Sequence, residues 1–194
     1  MRKEIARGHR GVVYLCRYKG KKAIRKEERK DSGAINRIQN EVFWLKRLNK
    51  HKLGPKIYFA GENYFICEFI EGKRIIDFLK DSVKPKKIIL DILKQCRIMD
   101  KLNIDKKEMS NPYKHIIVNK NKAVLIDFER AKFSLRPQNI TAFFAFLTSN
   151  KINSILKNKK IKIEKDELTG LLKEYKKDYS EKSFNQLMKK IKNG

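Results

Sequence analysis

The pattern of apolar and polar positions changes character near residues 68–72. Before that point short alternating runs dominate. Val12-Val13-Tyr14-Leu15-Cys16 reads as a strand, Lys19-Gly20 as a two-residue turn, and Lys22-Ala23-Ile24 as the returning strand. After Asp31-Ser32-Gly33 the period lengthens. Ile35, Ile38, Val42, Leu45 and Leu48 recur every three or four residues, which predicts a helix with one apolar face, broken by Gly54-Pro55. Two more strands are expected over residues 56–60 and 64–69, around the turn Gly61-Glu62-Asn63.

Beyond Glu71-Gly72 the spacing predicts helices over 75–80 and 86–102, the second carrying Ile89, Leu93, Cys96 and Met99 along one stripe. Ile116-Ile117-Val118 and Ala123-Val124-Leu125-Ile126 form a hairpin pattern about residues 119–122. Helices over 140–147, 168–179 and 184–191 complete the chain. No repeat or low-complexity linker intervenes. The expectation is an α+β fold with a strand-rich domain over 1–71 and a mainly helical domain over 72–194, sharing one core and a cleft.

Composition narrows the class. A hydrophobic fraction of 41%, with 11 Phe and 7 Tyr, supplies a real core and excludes general disorder. The longest apolar run, Ala142 to Leu147, falls far short of the roughly 20 residues of a membrane span. The start of the chain carries no signal-peptide pattern. Cys16, Cys67 and Cys96 lack metal or disulfide spacing and read as small buried thiols in a reducing cytoplasm, with no metal cluster.

Charge changes the picture most. The net charge is +26, and basic residues outnumber acids 18 to 8 over residues 1–72, 17 to 8 over 73–150 and 13 to 6 over 151–194. The excess is therefore no tail but a field over the whole folded surface, which attracts polyanions. Lysine-rich composition alone normally raises Glu together with Lys. Here Asp and Glu total only 22.

Candidate chemistry begins at Gly8-His9-Arg10-Gly11, where glycines let backbone N–H groups approach phosphate oxygens. If Lys19-Gly20 is a two-residue turn, Val13 pairs with Lys26 and Leu15 with Ile24. Cross-strand partners share a face, so Lys26 projects beneath the glycine loop and Arg25 the opposite way. An odd-length turn would exchange them. Glu41, on the predicted helix, is placed to reach such a lysine, although plain surface charge is the ordinary fate of both types. Asp127 emerges directly from the apolar run Val124-Leu125-Ile126, where a carboxylate needs a cation or donors to meet it. Magnesium on nucleotide phosphates, a helix cap or a structural ion pair would each suffice.

The order glycine loop, strand lysine, helix glutamate, hinge, apolar strand and Asp-Phe resembles the eukaryotic-like protein kinase superfamily over residues 6 to about 131. The phrases Gly-His-Arg-Gly-Val-Val-Tyr-Leu, Cys-Glu-Phe-Ile-Glu-Gly, Pro-Tyr-Lys-His-Ile-Ile-Val and Ile-Asp-Phe-Glu-Arg-Ala are similar to a small archaeal kinase group. That group was first labelled Ser/Thr protein kinases, and one branch is the archaeal RNA kinase, which phosphorylates a ribose 2′-hydroxyl in tRNA.

The resemblance implies a minimal two-lobe kinase-like fold that uses ATP and Mg2+. Gly8, Gly11 and Val13 would cover the phosphates, with Ala6 where the first glycine would stand. Lys26 would bind phosphate, with Glu41 as its helix partner. Cys67 would precede a hinge whose Glu68, Phe69 and Ile70 backbone meets adenine. Asp127 would hold metal, with Glu129 replacing the following glycine, and His115 takes the second metal position. Ser110 stands at the catalytic aspartate. Glu108, Glu129 or His115 would assist there, and Lys114 would neutralise the transferring phosphoryl.

The usual His-Arg-Asp, Lys-Pro-x-Asn and Ala-Pro-Glu segments are missing, and the region that docks protein substrates is short. With the basic run Arg130, Lys132, Arg136 and the lysines from Lys151 to Lys165, this points to structured RNA, tRNA above all, as acceptor. The alternatives are a Ser/Thr protein kinase and a catalytically silent nucleotide- and RNA-binding pseudokinase.

Overall fold

In the computed structural model, which describes residues 2–8, 11–29 and 36–193, the chain divides into two units. Met1–Glu71 groups with Val124–Ala131, and Gly72–Ala123 with Lys132–Gly194. The segment from Val124, placed by the sequence pattern in the domain over 72–194, therefore packs with the first unit. The loop tip His9-Arg10, the punctuation Asp31-Ser32-Gly33 and Ile35 lie outside the described residues.

The first unit is built on an antiparallel sheet. Its strands β1 (Lys3–Arg7), β2 (Gly11–Tyr18) and β3 (Lys21–Glu28) precede α1 (Arg37–Asn49), and β4 (Ile57–Ala60) and β5 (Tyr64–Glu68) follow. The order across the sheet is β1-β2-β3-β5-β4. Lys19 and Gly20 have φ of 47° and 78°, the left-handed pair that closes a two-residue hairpin with the right twist. The resulting register pairs Tyr18 with Lys21, Leu15 with Ile24 and Val13 with Lys26, as the turn length requires.

Helix α1 buries Ile38, Val42, Leu45 and Leu48, the predicted stripe, together with Trp44 and Glu41. It stops at Asn49, five residues before the expected breaker. The Leu53 amide turns back onto the Leu48 carbonyl at 3.1 Å, and Asn49 Nδ2 donates to the carbonyls of Leu53 and Pro55 at 2.9 and 3.0 Å. Phe65, Leu125 and Phe128 complete this core. Each such side chain contributes about 2 kcal/mol by leaving water. Strand β1 was not expected from the pattern, and all five of its residues are exposed.

In the second unit β6 (Lys73–Arg74) leads into α2 (Ile75–Asp81) and α3 (Lys86–Lys101). Then come β7 (Ile104–Asp105), a 3-10 turn at Pro112–Lys114, β8 (Ile116–Asn119) and β9 (Lys122–Leu125), the last crossing the division between units. After β10 (Lys132–Phe133), which pairs with β7, the helices are α4 (Asn139–Leu147), α5 (Asn150–Lys157), α6 (Lys165–Asp178) and α7 (Glu181–Asn193). Helix α3 is the centre: α4 and α7 pack on it, and the expected stripe of Ile89, Leu93, Cys96 and Met99 is fully buried.

A polar knot pins α3 to α4 and α6. Asp100 accepts hydrogen bonds from the Asn139 side chain at 2.7 Å and from the Tyr175 hydroxyl at 2.8 Å. Burial pushes the Asp100 carboxyl up to about 6, against the opposing pull of those hydrogen bonds.

The architecture is α+β. Among the described residues no helix is long and apolar enough to cross a membrane. Cys67 and Cys96 are buried free thiols as expected, whereas Cys16 is only half-buried on β2.

Candidate active site

Lys26 enters the site because it is cross-strand partner to Val13 on one side and Phe65 on the other. Its ammonium lies 2.6 Å from Glu41 Oε2 and 2.9 Å from Asp127 Oδ1, with Glu129 Oε2 at 3.7 Å. Residues 101 positions apart in sequence thus meet at one nitrogen. Burial works against the charge on Lys26, but the Glu41 and Asp127 carboxylates outweigh it and hold its proton well above the ordinary lysine range. Burial likewise pushes the Glu41 carboxyl up, opposed by Lys26 and reinforced by Asp127. The Asp127 side chain is 33% exposed and that of Glu41 only 4%. Asp127 is therefore the carboxylate open to an incoming group, and Glu41 is the fixed partner.

Two neighbours on α1 hold the backbone that carries Asp127. Glu41 Oε1 accepts the Phe128 amide at 3.2 Å, so Glu41 binds Lys26 and the Asp-Phe turn together. Asn40 Nδ2 donates to the carbonyls of Glu129 at 2.8 Å and Ala131 at 3.1 Å. Trp44 Nε1 donates to Asn40 Oδ1 at 3.0 Å and so fixes which way the amide faces. Asp127 itself has φ of 62°, a left-handed conformation uncommon for a residue with a side chain and often found at functional turns. Asn40 was missed in the sequence. Its only signal there is a polar residue beside Glu41 and four before Trp44 on an amphipathic helix.

The other candidates of this unit sit on the same sheet or directly beside its strands. The Gly8 amide donates to the Gly11 carbonyl at 2.9 Å. A Cβ at Gly11 would stand 2.8 Å from the Glu27 carbonyl oxygen, so glycine is required where β2 starts. Arg25 projects away from Lys26. Its guanidinium lies 3.4 Å from the centre of the Tyr64 ring and pairs with Glu27. At the end of β5 the Glu68 amide donates to the Lys56 carbonyl at 2.9 Å, so that N–H is not available to a base. Phe69 and Ile70 follow as half-buried, irregular chain, with Lys22 4.1 Å over the Phe69 ring.

Lys114 and His115 belong to the second unit. Lys114 ends the 3-10 turn and is exposed. His115 Nδ1 lies 3.5 Å from Glu108 Oε2, and the fully buried Lys106 ammonium lies 3.5 Å from the same oxygen. Ser110 is exposed. The structure thus gathers Lys26, Glu41, Asp127 and Glu129 at one point of the first unit, and Glu108 and His115 at one point of the second. Among the described residues no three His, Cys, Asp or Glu side chains form a set able to hold a metal by themselves.

Comparison with known proteins places the chain. No protein-family model matches it. Uncharacterized protein MJ1211 of Methanocaldococcus jannaschii is 34% identical over 83 residues, which span 41% of this chain and 70% of that protein. The chain belongs to the MJ1211 family. That name states no activity, so chemistry in this member of the MJ1211 family rests on the side chains described above. Their arrangement is one half-buried ammonium, held charged by the carboxylates around it, with the more exposed Asp127 carboxylate beside it, suited to holding an anion and a cation next to each other.

Proposed function

We propose that this MJ1211-family protein is an ATP-dependent kinase that transfers the γ-phosphate of ATP to a ribose 2′-hydroxyl of tRNA. The observation that carries the reading is the cluster of Lys26, Glu41 and Asp127, with Lys26 paired to Val13 just after Gly11. Lys26 would bind nucleotide phosphate, and Glu41 would keep its ammonium in place. The fit to magnesium is supported by Asp127, the most exposed of the three carboxylates around Lys26. Magnesium is commonly held by one or two carboxylates together with phosphates. When bound, it would supply neutralisation of phosphate charge.

The resemblance assigns Lys114 to the transferring phosphoryl and His115 to the second metal position. It also supports a two-lobe kinase-like architecture, with the helical part reduced. Phosphoryl transfer relies on positioning and charge neutralisation more than on a strong base, so Ser110 in place of aspartate is compatible with turnover. The net charge of +26 supports a polyanionic acceptor, and the lack of the protein-docking segment favours RNA over protein. The family resemblance supports tRNA in particular.

The test is γ-labelled ATP with magnesium, offered total RNA and total protein from the same cells. Label is expected in folded tRNA. A tRNA with a single 2′-deoxy nucleotide at the mapped site is expected to bind equally and accept nothing, because the 2′-hydroxyl is the nucleophile. Label confined to protein would establish the protein-kinase alternative. Nucleotide binding with no transfer to either class would establish the silent one, which the serine at position 110 favours.

A further inference from the structure

Away from the Lys26 cluster, the first unit has a second concave surface. It follows β4, the edge strand of the five-stranded sheet. Two hollows of about 770 and 280 Å³ adjoin there and share Lys56, Ile57 and Tyr58. Lys46 and Lys52 face the larger from α1 and the turn after it, and Lys19 and Lys21 face the smaller from the β2–β3 hairpin. Glu68 is the one acid among these lining residues, and its carboxylate is 3.4 Å from the Lys56 backbone amide. Lys46, Lys52 and Lys56 join no ion pair among the described residues.

Aromatic rings rim the same groove. Tyr58 stacks on Tyr18 at 5.9 Å and 8°, and Phe59 stacks on Tyr64 at 5.5 Å and 27°. Phe59 is nonetheless 40% exposed. Lysine on an edge strand commonly serves only to block sheet-to-sheet pairing. That account covers Lys56 but not Lys46 or Lys52, which stand off the sheet and face the same hollow. A basic groove bordered by flat aromatic faces is the form that takes single-stranded nucleic acid, with cations on phosphates and rings against bases.

We propose that the β4 groove is a docking site for an unpaired segment of RNA, with Lys46, Lys52 and Lys56 on phosphates and Phe59 against a base. The proposal rests on RNA being the acceptor and adds where the first unit grips it. Acidic peptide is the rival occupant. It would use the lysines but gain little from the aromatic faces.

The test measures binding of a fluorescent single-stranded RNA at several salt concentrations, with Mg-ATP binding followed in parallel as a check on the fold. The triple variant Lys46→Gln/Lys52→Gln/Lys56→Gln is expected to lose on the order of tenfold in affinity or more. Its log–log salt slope should fall by about 2, since each single-strand phosphate contact contributes about 0.7. Phe59→Ala should lose about fivefold or more with the slope unchanged, the signature of stacking. Lys173→Gln/Lys176→Gln/Lys182→Gln on α6 and α7 is the charge-matched control. A groove variant no weaker than this control would overturn the groove and leave the RNA reading standing. Equal competition by a polyglutamate peptide of matched charge would also overturn it. Folded tRNA is measured beside it: an unaltered protein that binds tRNA but not the single strand would overturn the groove alone, and one that binds neither would sink the acceptor reading itself, and the groove with it.

Discussion

Asn40 Nδ2 donates to the Glu129 carbonyl oxygen at 2.8 Å, a hydrogen bond between residues 89 positions apart. One amide thereby ties α1 to the turn that carries Asp127, and the Ala131 carbonyl is its second acceptor. Removing it leaves two part-buried carbonyls without their donor, a cost of about 1–3 kcal/mol.

Asn40→Ala should therefore lower the melting temperature and speed amide exchange over residues 127–131. Asn40→Asp should do worse than alanine. It keeps the bond from Trp44 but turns a carboxylate toward two carbonyl oxygens. Hydrogen exchange by mass spectrometry decides the matter, and unchanged protection over 127–131 would count against the clamp.

Asp127→Ala should nearly abolish phosphoryl transfer while the protein stays folded, since the side chain is a third exposed and its loss opens no core cavity. Lys26→Ala should also lose transfer strongly. Arg25→Ala should retain it and cost only about 1 kcal/mol of stability, the scale of its contact with the Tyr64 ring. Radiolabel transfer and thermal melts on the three variants check the ordering. An inactive Arg25 variant beside an active Lys26 variant would reverse the assignment.

In the second unit, Ser110→Ala should keep most activity, whereas Lys114→Ala and His115→Ala should lose it. Ser110 is exposed, and a serine hydroxyl is too weak a base at neutral pH to carry the step. Loss of turnover in the Ser110 variant alone would point instead to a mechanism through that hydroxyl.

Asp100 should make stability depend on pH. Its carboxyl moves from an ordinary 3.8 to about 6 on folding, because burial penalises the charged form. A raised carboxyl favours the folded state below about pH 4, and that contribution is lost as pH rises through about 6. The span corresponds to on the order of 3 kcal/mol. Asp100→Asn should flatten this component in urea melts between pH 4 and pH 7. Parallel pH curves for the two proteins would refute it.

The hairpin register was legible in the sequence because two residues, Lys19 and Gly20, suffice to decide which strand positions share a face. The stripes of α1 and α3 were legible because each buries a run of aliphatic side chains at helical spacing. Strand β1 was not. It is an edge strand with no buried residue, so nothing alternates along it. Helix α5 buries only Ile152 and Leu156, a single apolar pair within a lysine-rich run. The meeting of Lys26 with Asp127 could be placed only by resemblance, since no local pattern measures a distance across 101 residues. Asn40 escaped altogether because its partners are backbone carbonyls, which every residue has.

The return of Val124–Ala131 to the first unit also sets an order of events during synthesis. All five strands of the sheet leave the ribosome well before Phe128, whose buried ring contributes to their core. Domains usually fold in the order in which they emerge. Here the earliest part of the chain must wait for one of the later parts. A nascent chain cut off at Glu71 exposes the apolar surface that Leu125 and Phe128 cover, and closing it requires a loop that spans Gly72–Ala123, the first segment of the second unit. Such long-range closure slows folding. The first unit to be translated is therefore not the first that can finish, and its Lys26 meets Asp127 only after the polypeptide has passed that point.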